Sequence, residues 1–121
     1  MFVYNIPDQL QGDTWNGINS ISISVSGVPV DLTNAEVVMQ VRKGPNSPVA
    51  LELSTNNKDI SCIGDPANGT ITIGPTLITI PYGTYEYGLK AIFADTTYPN
   101  NAPRNKTYMK GVWNILPPIV T

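Results

Sequence analysis

Length, composition and charge exclude several classes of protein before any motif is considered. The chain has 121 residues, enough for one ordinary domain, and only 13% of them are charged, about half the usual share of roughly 25%. Long surface helices need many Lys, Glu and Arg residues, so a helical protein is disfavoured. The net charge of −2 gives no basic footprint for nucleic acid, and the apolar runs are too short for a membrane span. We therefore expect one domain over residues 1–121, with short N- and C-terminal extensions and with no nucleic-acid or membrane partner.

Alternating apolar and polar residues predict strands that have one buried and one exposed face. The alternation is strictest over residues 21–26 and recurs over residues 37–42. In the second segment Val37 and Met39 face inward, while Val38 adds an apolar side chain to the outer face. Further strands are predicted at residues 49–53, 60–62 and 70–73, with a strand or a turn at residues 77–80.

Two longer segments follow in the last third of the chain. Residues 85–93 form the longest predicted strand, and the five apolar side chains on one of its faces favour a central position in a sheet. The last strand, over residues 108–116, directs Trp113 inward and Val112 and Leu116 outward. A pair of prolines then ends this strand.

The segments between the strands are rich in Gly, Pro, Asn and Asp, which end strands and form turns. Asn68 and Gly69 predict a type I′ hairpin, because that turn needs positive φ at both central residues. Asp31 is expected to accept a backbone hydrogen bond in a tight turn, and Tyr85 to bond across the corner at which its strand begins. About seven short strands separated by turns predict an antiparallel β-sandwich, with an eight-stranded barrel as the alternative.

Residues that carry out catalysis are scarce in this chain. It contains no histidine, one cysteine (Cys62) and nine scattered acidic residues, so no Ser-His-Asp, Cys-His or zinc cluster can be assembled. We assign the acids to turns rather than to glycoside hydrolysis or calcium binding. The sequence therefore predicts no enzyme activity, no catalytic or metal-binding residue and no cofactor. Cys62, which has no partner for an internal disulfide, is expected to be a small buried strand residue.

Several motifs occur in an order and spacing that match a known family. They occupy residues 12–15 (GDTW), 30–35 (VDLTNA), 39–43 (MQVRK), 47–55 (SPVALELST), 65–71 (DPANGTI), 83–87 (GTYEY) and 111–115 (GVWNI). Over nearly its whole length the chain resembles small phage and prophage virion proteins whose domain is similar to the N-terminal immunoglobulin-like domain of baseplate upper proteins. The resemblance implies an immunoglobulin-like antiparallel β-sandwich and a place in a bacteriophage particle.

The favoured hypothesis is a structural, non-enzymatic virion protein of the tail, baseplate or neck, made in the cytoplasm of the bacterial host. Its partners are expected to be other virion structural proteins and copies of itself in a symmetric assembly, and decoration of the capsid head is the alternative location. Residues 1–10 and 117–121 are expected to reach across to neighbours. The candidate interface residues are outward apolar side chains and tyrosines near strand ends: Val38, Val112, Leu116, Tyr82, Tyr98 and Tyr108.

A different hypothesis is a glycan-binding module that is used in adsorption to the host. Aromatic rings offer large flat surfaces to sugars, and Trp15 is the candidate stacking residue, together with tyrosines in loops. Packing in the core is the alternative role for Trp15, because aromatic residues on the strand faces of sandwiches are usually buried. The two roles differ in the exposure of the indole ring.

Overall fold

The computed structural model describes residues 2–93 and 104–119, and the regular structure of this part is almost entirely β. The all-β prediction is confirmed, and a 3-10 turn at Pro66–Asn68 is the one short helical element among the described residues. The strands are β1 (Phe2–Val3), β2 (Ile6–Leu10), β3 (Thr14–Trp15), β4 (Ile18–Ser22), β5 (Ser24–Val25), β6 (Val28–Pro29), β7 (Glu36–Arg42), β8 (Val49–Ser54), β9 (Ile60–Cys62), β10 (Thr70–Ile73), β11 (Thr76–Leu77), β12 (Gly83–Phe93) and β13 (Arg104–Leu116).

The strands form two main layers. The larger sheet has the order β1, β13, β12, β7, β8, with β2 also paired to β13, and a three-stranded sheet has the order β4, β10, β9. Side chains of both sheets belong to one buried cluster, in which Met39 and Leu89 of the larger sheet accompany Ile71 and Ile73 of the smaller one. Two layers around one shared core are the arrangement of a β-sandwich.

β12 lies at the centre of the larger sheet, as its pattern of residues predicts. It pairs antiparallel with β13 along one side and with β7 along the other. The five alternate side chains on its inner face, Tyr85, Tyr87, Leu89, Ala91 and Phe93, are all buried. Burial of one large apolar side chain stabilises a protein by about 1.5–3 kcal/mol, so this face is a major source of stability.

The prediction of one strand over residues 21–26 is wrong. The strand is interrupted at Ile23, whose carbonyl accepts a hydrogen bond from the N–H of Val30 at 2.9 Å. After this break β5 and β6 form a separate hairpin across Ser26 and Gly27, which both have positive φ. Positive φ at both central residues is the geometry of a type I′ turn.

The hairpin predicted at Asn68 and Gly69 exists, but its turn has a different conformation. β9 and β10 pair antiparallel, and the chain between them forms the 3-10 turn, after which Gly69 has a φ of 68°. Asp65 caps the turn by accepting a hydrogen bond from the N–H of Ala67 at 3.0 Å. Asn68 has no positive φ, so the type I′ prediction is wrong at this position.

The N-terminal segment belongs to the chain's own sheet, so it is not a free arm, and its expected contact with neighbours stays a prediction. β1 and β2 run parallel to β13. The N–H of Tyr4 donates to the carbonyl of Lys110 at 2.9 Å, and the side-chain oxygen of Asn5 accepts from the N–H of Val112 at 3.0 Å. Gly111 permits this close approach, because a Cβ there would lie 1.9 Å from the carbonyl oxygen of Tyr4.

We expect Gly111→Ala to lower the free energy of unfolding by about 2 kcal/mol or more, because the added methyl group must displace the N-terminal strands. Chemical denaturation followed by tryptophan fluorescence measures the change. Gly88→Ala in the neighbouring strand is the matched control, since a Cβ there would meet nothing closer than 3.9 Å. Equal stability of the two variants would contradict this account of the N-terminal segment.

Candidate interaction surfaces

Trp15 lies in the core and is 4% exposed. Its ring packs against Trp113, with 4.8 Å between the ring centroids and 55° between the ring planes. β3, which carries Trp15, pairs with β11 and so directs the indole into the sandwich. The predicted glycan-stacking role of Trp15 is wrong, because a buried ring face cannot contact a sugar, and the core-packing alternative is confirmed.

Two local hydrogen bonds predicted from the turns are confirmed. The hydroxyl of Tyr85 donates to the carbonyl of Pro81 at 2.5 Å, across the corner that precedes β12. The carboxylate of Asp31 accepts from the N–H of Thr33 at 2.9 Å. Hydrogen bonds from Thr33 hold the pKa of Asp31 below its ordinary value, and burial raises the pKa of Tyr85. Both interactions fix turns.

The candidate residues on the outer face of the larger sheet, which is the face directed away from the core, divide into two groups. Val112 and Leu116 are each 39% exposed, as predicted. Val38 is only 2% exposed, so its predicted place on an exposed surface is wrong. It lies opposite Ser54 on one side and Lys90 on the other, and the long aliphatic stem of a lysine shields a short neighbouring side chain.

The candidate tyrosines are not gathered at one place. Tyr82 is 57% exposed in the turn before β12, whereas Tyr108 is half-buried in β13 and packs against the core cluster. Tyr98 lies outside the described residues. Tyr82 therefore remains an exposed candidate interface residue, and Tyr108 belongs to a different surface.

That second surface is an apolar groove between the two sheets, on the side where β1 and β13 face β4 and β5. We call it the edge groove, and its volume is about 840 Å³. Phe2 and Tyr4 form part of one wall, with their rings stacked 6.4 Å apart at an interplanar angle of 9°. The apolar lining consists of Phe2, Tyr4, Ile18, Ile21, Ile23, Val25, Leu89, Tyr108 and Met109.

The edge groove is bordered by two strands whose outer edges are unpaired within the described part of the chain. β1 ends the larger sheet and β4 ends the three-stranded sheet. Free N–H and C=O groups along such edges can pair with a further strand. Among the lining residues Lys106 alone is charged, so the groove suits an uncharged or apolar segment.

The sequence prediction missed Phe2, Val3 and Tyr4, although they contribute to two surfaces. Neighbouring side chains of a strand point to opposite sides, so Phe2 and Tyr4 line the edge groove while Val3 lies on the outer face opposite Lys110. Phe2 and Val3 are 62% and 59% exposed. The sequence shows that these residues alternate, but only the pairing of β1 with β13 determines which surface each side chain joins.

Tyr87 connects the wall of the edge groove to the core. Its ring is 4% exposed, and its hydroxyl donates a hydrogen bond to the carbonyl oxygen of Tyr4. Burial, together with the nearby Tyr4 side chain, raises the pKa of Tyr87 to about 12. The neutral hydroxyl is therefore retained as a hydrogen-bond donor well above neutral pH.

The described ranges, 2–93 and 104–119, contain no cluster of metal-ligating side chains: no three His, Cys, Asp or Glu residues there converge closely enough to hold a metal ion. Cys62 is partly rather than fully buried, contrary to prediction, and its partial burial raises the pKa of the thiol. Within the same ranges, no helix has the length and apolar character that crossing a membrane requires.

Comparison with known proteins adds no family assignment. No protein-family model matches the chain, and no curated protein is significantly similar to it. The resemblance to phage virion proteins therefore stays a prediction that rests on the motifs in the sequence.

We expect the folded state to lose stability above about pH 10, in part through Tyr87. Its pKa is about 12 in the folded chain against an ordinary value of 10.0. The unfolded chain therefore releases this proton first, so stability that is fully present below pH 10 falls as the pH rises towards 12. Tyr87→Phe should remove this contribution, so its free energy of unfolding should fall less steeply over the same range.

Denaturation curves at a series of alkaline pH values measure the two slopes. Tyr82→Phe is the control, because it removes a hydroxyl from an exposed side chain that takes no part in the bond between Tyr87 and Tyr4. Identical slopes for the wild-type chain and Tyr87→Phe would show that Tyr87 titrates as in the unfolded state.

Proposed function

We propose that the chain is a structural component of a bacteriophage particle, an immunoglobulin-like module held by protein contacts and without catalytic activity. The tail, baseplate or neck is the favoured location, and the capsid head is the second. The module is made in the cytoplasm of the bacterial host and is incorporated into the virion. Its partners are other virion proteins and further copies of itself.

The strand order supports the immunoglobulin-like part of this proposal. In variable-type immunoglobulin domains the strands G, F, C and C′ are neighbours in one sheet, and B, E and D are neighbours in the other. β13, β12, β7 and β8 follow the first order, and β4, β10 and β9 follow the second. The bond from Tyr85 to Pro81 corresponds to the tyrosine corner at the start of strand F.

The observation that carries the proposed function is the apolar surface exposed along the edge formed by β1 and β13. Phe2, Val3, Tyr4 and Val112 are between 36% and 62% exposed there, beside a core that is already closed. Large exposed apolar patches mark surfaces that contact another protein. The groove and the outer face meet at this edge, so neighbours can contact the module from two sides.

Electron cryo-microscopy and mass spectrometry of purified particles test the proposal. The expected result is density for the domain, with the β1–β13 edge covered by a neighbouring subunit. Phe2→Ser/Val3→Ser should reduce incorporation several-fold, because the variant loses apolar contact area at that edge. Ile63→Ser/Leu77→Ser is the matched control, since these side chains are 43% and 55% exposed elsewhere. Purified particles that lack the protein would refute the proposal.

Glycan binding is the second candidate function. Because Trp15 is buried in the core, the edge groove rather than Trp15 is the observation that favours it. The stacked rings of Phe2 and Tyr4 line the same groove as serines of β4 and β5, and aromatic rings near hydroxyl groups suit a sugar. Glycan-array binding by the domain should then be lost in Phe2→Ala and kept in Tyr82→Ala. No binding by the wild-type domain would set this candidate aside.

A further inference from the structure

We propose that the outer face of the larger sheet pairs with the same face of a second copy of the chain. The copies are related by a two-fold axis that runs parallel to the strands, between β7 and β12. The inference rests on the proposed function only in that a virion module is present in many copies. It identifies the partner of the outer face, and leaves the edge groove free for other contacts.

The strand register arranges the outer-face side chains in rows across the four strands β8, β7, β12 and β13. One row contains Glu52, Gln40, Gly88 and Lys110, in that order. The row beside it contains Val49, Arg42, Glu86 and Val112. Acidic and basic side chains thus occupy defined and different positions across the face.

A two-fold axis between β7 and β12 exchanges β7 with β12 and β8 with β13, and it leaves each row in register with itself. Glu52 of one copy then faces Lys110 of the second copy. In the next row Arg42 faces Glu86 of the second copy. Two face-to-face sheets cross at about 30°, an offset that these long side chains can span.

The apolar residues of the second row obey the same symmetry. Val49 on β8 and Val112 on β13 are 36% and 39% exposed, and the two-fold axis places each of them against the other. The two rows therefore offer two apolar contacts and four ion pairs to a second copy, and each charged side chain of these rows faces an opposite charge. A self-complementary surface of this kind is what a two-fold interface requires.

Within the described part of the chain, the charged side chains of these two rows form no ion pair with one another. Within residues 2–93 and 104–119, neither the Glu86 carboxylate nor the Lys110 ammonium forms an ion pair, and the Arg42 guanidinium binds Ser47 and Gln40 instead. Glu52 accepts a hydrogen bond from Gln40, and three strand spacings of about 4.8 Å separate it from Lys110 of the same chain. The charges are therefore available to a second copy.

Gly88 adds a complementary shape at the centre of the face. A depression of about 320 Å³ lies over this glycine, between Gln40, Arg42, Glu86 and Lys90. Across the axis, Gln40 of the second copy lies opposite Gly88. Its amide would enter the depression, and the bonds to Glu52 and Arg42 hold the side chain in place.

The expected association is weak in solution. Four strands about 4.8 Å apart and seven residues of about 3.4 Å give a face of roughly 450 Å² per copy, so a dimer buries less than the roughly 1,200 Å² of a standard interface. Such contacts give dissociation constants in the micromolar range or weaker. The high local concentration of subunits in an assembly compensates for this weakness.

Analytical ultracentrifugation of the isolated chain over a concentration series tests the pairing. The wild-type chain should form a dimer that weakens as salt is added, because ion pairs at an accessible interface are screened. Glu52→Lys and Lys110→Glu should each weaken the dimer about ten-fold, since either change creates two like-charge contacts across the axis. The double variant Glu52→Lys/Lys110→Glu should restore wild-type association.

Asp13→Lys/Lys58→Glu is the matched control, because it makes the same exchange of charges away from the outer face and should leave association unchanged. A chain that is monomeric at every concentration, or a dimer that the single reversals do not weaken, would overturn the pairing. A monomeric chain that is nevertheless found in purified particles would contradict the pairing and leave the proposed function standing. A dimer with the expected properties, together with particles that lack this chain, would instead contradict the proposed function and leave the pairing standing.

Discussion

The carbonyl group of Tyr4 lies over Gly111 at a distance that no other residue type permits. This contact joins the first strand of the chain to its last one, and three hydrogen bonds support it, to Lys110, to Tyr87 and between Asn5 and Val112. Parallel pairing of chain ends is entropically costly, because it closes a loop of nearly the full chain length. The contact therefore forms only together with the core to which Tyr87 and β13 belong.

Both candidate surfaces depend on that junction. The N-terminal strand supplies Phe2 and Tyr4 to one wall of the edge groove and Val3 to the border of the outer face. If the strand detached, the groove would lose a wall and the inner side chains of β13 would lose their cover. The same few residues thus set the stability of the sheet and the shape of the surfaces offered to partners.

The sequence predicted those parts of the fold in which periodicity and burial agree. β7, β10, β12 and the inward side chains of β13 follow from alternation alone, and the corner at Tyr85 follows from its position after a turn. Three features did not follow. Val38 points outward by alternation, yet its neighbours cover it. The alternating run over residues 21–26 is interrupted at Ile23, whose carbonyl accepts a hydrogen bond from Val30. The N-terminal strands are placed only by their long-range pairing with β13. A local pattern of residues cannot predict contacts between segments that are far apart in the sequence, such as β1 and β13.

Amide hydrogen exchange of the isolated chain, resolved by residue, tests the central claim most directly. The N–H groups of Tyr4 and Val112 hydrogen-bond within the junction, so their protection should approach that of the amides of β12. Exchange of these two amides at the rate of an unfolded peptide, beside a protected β12, would contradict the account. It would show that the N-terminal segment is a free arm.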